Sequence, residues 1–369
     1  MRSNPHQRAM SPKRRFLAAL LGGPTDRVPV GNVVSIVTQD LMAAADTWFP
    51  QAHLEAEAMA ALAATGHEVL GYDTVMPVFS VTQEAAALGC EMDWGSPEMM
   101  PGVTSHPFSM TDDTGEGRRF SILPGWMEAP PIQAVLDALG LLRKALGDRV
   151  VIVGKVMGPW TLSYHMMGVE EFLVSTLKDP ARAHRSLEAL LPVSVAFAKA
   201  QMRSGADIVC LADHATGGMV SPIMYRDMLL PLHQEIVHEI GCPIVLHCCG
   251  NTTDRLHYFA QTGIDCYHFE SQVEIHDAVA AAAGWMTLIG NINNPEILLR
   301  GTPEDVAAAC RRAVDGGVQI LSPECAVPLT TPLRNLRTLV EVAEEKGSRS
   351  NIRSFGKLRK SIAEEERVA

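Results

Sequence analysis

Short apolar bursts alternate with longer segments whose apolar residues recur at helical spacing. The bursts run over residues 28–36, 68–75, 150–156, 207–212, 243–247, 266–269, 286–289 and 318–321. Continuous apolar runs of this length, bounded by turn residues, are the mark of strands buried on both faces. Helical segments separate most of them, the longest over 169–204 and another reaching His238. That rhythm predicts parallel βαβ units, and about eight of them in one chain fit a closed (β/α)8 TIM barrel of the α/β class. An open doubly wound sheet is the competing arrangement. No G-x-G-x-x-G follows any of the bursts, which counts against its dinucleotide-binding version.

The pattern also divides the chain. Residues 1–26 are expected to form an N-terminal helical extension, with Ser11 and Pro12 as the cap and first turn of a short helix. The barrel is expected over 27–345, and a charged C-terminal tail over 346–369. Between 90 and 131 the periodicity loosens into Gly-, Pro- and Asp-rich turns, consistent with a loop excursion or a small extra sheet.

Composition narrows the function. Apolar residues make up 47% of the 369 and charged residues 20%, enough for a substantial core. The net charge of −11 argues against non-specific nucleic-acid binding, which needs a basic surface. Eight cysteines are thinly spread and mostly sit in apolar runs, so they read as reduced thiols of a cytoplasmic protein. The polar, basic start and the short apolar run at 16–21 do not make a secretory signal, and no uncharged apolar stretch is long enough to span a bilayer.

Candidate chemistry gathers where the bursts end. The run Pro243-Ile-Val-Leu-His247-Cys248-Cys249-Gly250 leads an apolar strand straight into His-Cys-Cys-Gly. Side chains two apart on extended backbone share a face, so His247 and Cys249 can meet one metal while Cys248 turns away. Cys325 ends the last burst in a Pro-rich turn in the same manner. Imidazole and two thiolates with a fourth position open are the pattern of a catalytic zinc site. Asp213 and Glu270 also close strands. Each is a candidate catalytic acid, an orienting partner for a ligand histidine, or a helix cap. His214 precedes the small-residue loop 215–218, and Asn291 ends another burst where its amide can reach a cofactor edge.

Taken together, these residues resemble the uroporphyrinogen decarboxylase superfamily, and within it the zinc-dependent methylcobamide:thiol methyltransferases. The resemblance runs through Ser11-Pro-Lys-Arg-Arg-Phe, Asp26-Arg-Val-Pro29, Gly158-Pro-Trp-Thr161-Leu with Tyr164 just after, Ser221-Pro-Ile-Met-Tyr225, Ile289-Gly-Asn291 and Thr331-Pro-Leu-Arg-Asn335. These segments mark the superfamily and its barrel. The reaction is indicated by His247, Cys249 and Cys325, which are similar to the zinc ligands of the methyltransferases. The arginine-rich stretch with which the decarboxylases grip substrate carboxylates is replaced here by 31–40, which contains no arginine. A tetracarboxylate would find no charge partner there.

The resemblance implies methyl transfer from a methylcobamide to a thiol such as coenzyme M, with Zn2+ as cofactor. The corrinoid arrives on a separate corrinoid protein, since this chain holds no Asp-x-His-x-x-Gly corrinoid-binding segment. Asp213 and Glu270 are then expected as catalytic groups, and Tyr164, His214 and Asn291 as contacts for the cofactor. The reverse direction, demethylation of an O-methyl or N-methyl compound onto a corrinoid protein, uses a similar metal site and is the alternative.

Overall fold

The computed structural model describes residues 9–108 and 122–347. Most of the tail expected at 346–369 lies outside them.

Seven parallel strands form one curled sheet in the order β1 (Thr74–Val75), β4 (Val151–Met157), β5 (Ile208–Ala212), β6 (Ile244–His247), β7 (Cys266–Phe269), β8 (Thr287–Ile292) and β9 (Ile320–Pro323). Two further strands, β2 (Glu91–Asp93) and β3 (Gly102–Ser105), pair antiparallel as a separate small sheet. That sheet occupies the segment where the sequence pattern loosens. Every residue of β4, β5, β6, β7 and β9 is buried, because helices cover the sheet outside and side chains fill the barrel inside.

The first expected strand is reduced to a seam. Residues 28–36 supply only the parallel bridge between Val30 and Leu321 of β9. Around it Gly31 N donates to Leu321 O, Leu321 N to Pro29 O, and Asp73 N to Val30 O, so this segment closes the barrel between β9 and β1. The ladder stops for two reasons. Pro29 has no N–H to give, and the Asn32 amide is taken by the Thr74 hydroxyl at 2.8 Å. A Cβ at Gly31 would collide with the Phe16 ring, so the seam needs glycine to pass beneath the N-terminal helix. The second expected strand is also shorter, since helix Ala56–Glu68 runs into its start.

The helices follow their end signals. Ser11 caps helix Pro12–Leu20 by accepting from Arg14 N. The long segment 169–204 is two helices, Val169–Lys178 and Pro180–Ser204, broken at Asp179, whose side chain caps the second. Among the described residues, no helix is long and apolar enough to cross a membrane.

Candidate active site

β6 and β9 both end at the C-terminal mouth, and each delivers a cysteine two residues beyond its last strand residue. The His247 Nε2 lies 3.1 Å from Cys249 Sγ and 3.5 Å from Cys325 Sγ, and the two sulfurs are 3.5 Å apart. A tetrahedral zinc with ordinary bond lengths separates two sulfurs by about 3.8 Å and a sulfur from a nitrogen by about 3.6 Å. The three donors therefore stand within a few tenths of an ångström of that geometry, apart from the tighter His247–Cys249 approach.

Their protonation suits a cation too. Burial, followed by the neighbouring His268, holds His247 well below the usual imidazole range, so it is neutral, the form that ligates. The hydrogen bond with Cys325, followed by burial, pushes the Cys249 thiol well up. The Cys249 thiol keeps its proton until a metal draws it off. Gly250, at φ +74°, makes the sharp exit after Cys249.

Glu270 stands immediately beyond β7, at the rim of this cluster. Burial raises its pKa, against the opposing pull of the Gly250 amide and the two thiols. Glu324 fixes the Cys325 loop by accepting from the amides of Ser271 (2.8 Å) and Asn294 (2.7 Å).

His214 joins the cluster from the end of β5. Its Nε2 is 2.9 Å from Cys249 Sγ, and its Nδ1 is 2.9 Å from the Tyr164 hydroxyl. Asn291, half-buried on β8, sits opposite Ser322 of β9 in the sheet register.

Asp213 is placed differently from its expected catalytic role. Oδ1 accepts from Thr161 N (2.7 Å) and Thr161 Oγ1 (2.8 Å), and Oδ2 from Trp160 N (3.3 Å) and His233 Nε2 (3.0 Å). An ionised carboxylate has about four lone-pair sites, and all are used. Asp213 thus caps the helix Pro159–Met167 that carries Tyr164, and it leaves no lone pair for a reacting group.

The sequence pattern of the uroporphyrinogen decarboxylase (URO-D) family matches residues 11–346. The chain belongs to this family. It is 35% identical to a methylated-thiol–coenzyme M methyltransferase of Methanosarcina mazei, over 91% of this chain and 90% of that protein. A methylcobamide:CoM methyltransferase of Methanosarcina acetivorans is 32% identical over 90% of this chain and 98% of its own. A solved methyltransferase from Methanosarcina mazei superposes with a TM-score of 0.86 at 30% identity, covering 91% of this chain and 99% of that one.

Within this URO-D family barrel, two nearby residues escaped the sequence reading. His268 packs on His247, with ring centroids 4.6 Å apart, and its Nε2 bonds Pro323 O at 2.8 Å. Lys155 lies fully inside the barrel. Its signal was available: a lone lysine in an otherwise apolar buried strand.

Proposed function

We propose that the protein is a zinc-dependent methyltransferase that moves a methyl group from a methylated corrinoid, carried on a separate corrinoid protein, to a thiol. The observation that supports it most is the triad of His247, Cys249 and Cys325 at the barrel mouth. It occurs in a chain 35% identical to a methylated-thiol–coenzyme M methyltransferase over nearly its whole length. Two thiolates and one imidazole suit zinc and leave one position for a substrate sulfur.

Zinc bound there would supply a thiol that is deprotonated at neutral pH. The chain's own groups do the rest. His247, Cys249 and Cys325 would hold the metal. The Glu270 carboxyl, in contact with both thiols, is placed to accept the proton of the arriving thiol. His214, steadied by Tyr164, donates from Nε2 toward Cys249 and sets its orientation, and Asn291, near the end of β8, would offer its amide to a corrinoid edge. Overall, the carbon–cobalt bond breaks, a carbon–sulfur bond forms, the thiol proton is released, and the electron pair stays on cobalt.

We further take residues 27–345 as a single barrel domain. The eight cysteines, none of them in a disulfide, accord with a reducing compartment such as the cytoplasm. The deciding assay mixes methylcobalamin with candidate thiols and follows the loss of the methylcobalamin spectrum. No turnover with any thiol, together with methylation of Co(I) by a methyl ether or amine, would reverse the direction. Decarboxylation of uroporphyrinogen would overturn the reading altogether.

A further inference from the structure

A second polar group lies inside the barrel below the triad. On β4 a Cβ at Gly154 would meet Oε1 of Gln201, on the outer helix, at 2.7 Å, so Gly154 faces outward. Side chains alternate along a strand, and Lys155 therefore points inward, where it is 3% exposed. Burial lowers its pKa, opposed by Cys210, Glu84, Cys325 and Cys249, and the lysine in turn acts on His53, Glu84 and His247.

Glu84 and His53, both within reach of Lys155, and Gln83 next to Glu84 leave buried polar atoms with no partner. Glu84 gives Oε1 to the Met157 amide at 2.9 Å and leaves Oε2 unpaired. Gln83 gives Oε1 to the Ser80 hydroxyl at 2.6 Å and leaves Nε2 unpaired. His53, stacked on Phe49 at 3.9 Å, leaves both ring nitrogens unpaired. All three side chains are fully buried. Buried polar atoms are nearly always hydrogen-bonded, so a group of such exceptions calls for an explanation. None of these residues serves the metal triad.

We propose that His53, Gln83, Glu84 and Lys155 bind the tail of the thiol substrate, and that this tail carries both an anionic group and a cationic donor, as in a short amino-acid thiol. The inference rests on the thiol-methylation reading above. Lys155 and Gln83 offer donors, Glu84 an acceptor, and neutral His53 one of each. Burial disfavours the charge on both Lys155 and Glu84, so a tail with only an anionic group would support Lys155 but leave Glu84 without a cationic partner. A tail with only an ammonium would do the reverse. A tail with both meets every open valence.

The spacing fits. Lys155 pairs in register with Cys210, and His247 with Ala212. The lysine's backbone is thus two residues deeper than His247 and two strands across, about 7 Å along the strands and about 10 Å around the sheet. The lysine side chain reaching inward, together with two or three carbons between sulfur and head groups, covers that separation.

The test is calorimetric titration of thiols onto the full-length, zinc-loaded protein, with methyl transfer measured in parallel. L-homocysteine and L-cysteine should bind about tenfold or more tighter than 2-mercaptoethanesulfonate or cysteamine, the effect of one charge-assisted hydrogen bond. Lys155→Met should weaken the acidic thiols and spare cysteamine, while Glu84→Gln should weaken the ammonium-bearing thiols and spare the sulfonate. The wild-type series decides the matter even where a variant fails to fold. Equal binding of the sulfonate and homocysteine, or uniform losses across all thiols in both variants, would overturn the pocket alone. Charge-selective binding without methyl transfer would uphold the pocket and refute the functional reading. Binding of no thiol would refute both.

Discussion

The Nε2 of His214 lies 2.9 Å from Cys249 Sγ, nearer to that sulfur than His247 (3.1 Å) or Cys325 (3.5 Å). With Nδ1 on the Tyr164 hydroxyl, the ring is held at both ends. A donor that orients a ligand sulfur tunes the site without binding the metal. His214→Phe should therefore keep its zinc yet lose about 10–100-fold in methyl-transfer rate. Tyr164→Phe should give a smaller loss in the same direction. Loss of zinc from His214→Phe would make it a ligand instead.

Metal content tests the triad directly. The wild type should carry about one zinc per chain, and Cys249→Ala or Cys325→Ala should lose most of it, since two ligands alone hold zinc poorly. Elemental analysis of the dialysed proteins gives the answer. Full retention in both variants would remove these cysteines from the site.

The two strand-end acids should behave differently. Glu270→Gln is expected to retain most of its zinc and its melting temperature while the rate falls about 10–100-fold. Asp213→Ala removes the acceptor for four donors, one of them the buried His233, and should destabilise the fold by about 3–5 kcal/mol, since each buried donor left unpaired costs about 1–3 kcal/mol. Thermal melts set beside rate measurements separate the roles. An Asp213→Ala protein with an unchanged melting temperature would contradict the capping role.

Acid should unfold the protein through its buried histidines. Burial, followed by the charge of Lys155, lowers His53 to about 3, and burial lowers His268 to about 4. Above pH 6.5 neither state binds the extra proton, so stability is fully present there. As pH falls from 6.5 toward 4, the unfolded chain takes protons that the folded chain refuses, and stability is lost. His268 alone accounts for about 3 kcal/mol by pH 4. Melting temperatures recorded from pH 7 to pH 4.5 should fall by several degrees, and a flat profile would show that these rings are not held neutral.

Periodicity is a local property, and it was enough for the barrel. Apolar bursts between helical segments named the strands from 150 onward to within a few residues, and the two-residue spacing of His247 and Cys249 set both on one face. Cys325 was legible because it ends its strand in the same way. What the sequence could not determine depends on groups distant along the chain. Residues 28–36 have the composition of a full strand. The missing N–H of Pro29 is legible there, but the meeting of Asn32 with Thr74 that completes the shortening to a bridge is not. Asp213 and Glu270 look alike as strand-end acids. Tertiary structure separated them by bringing Thr161 and His233 to Asp213 and the two thiols to Glu270. Lys155 was visible as a charge in an apolar strand, but its neighbours Glu84 and His53 come from segments about 70 and 100 residues earlier. Barrel closure alone placed them beside it, because hydrogen bonding and burial act across space and sequence spacing does not record them.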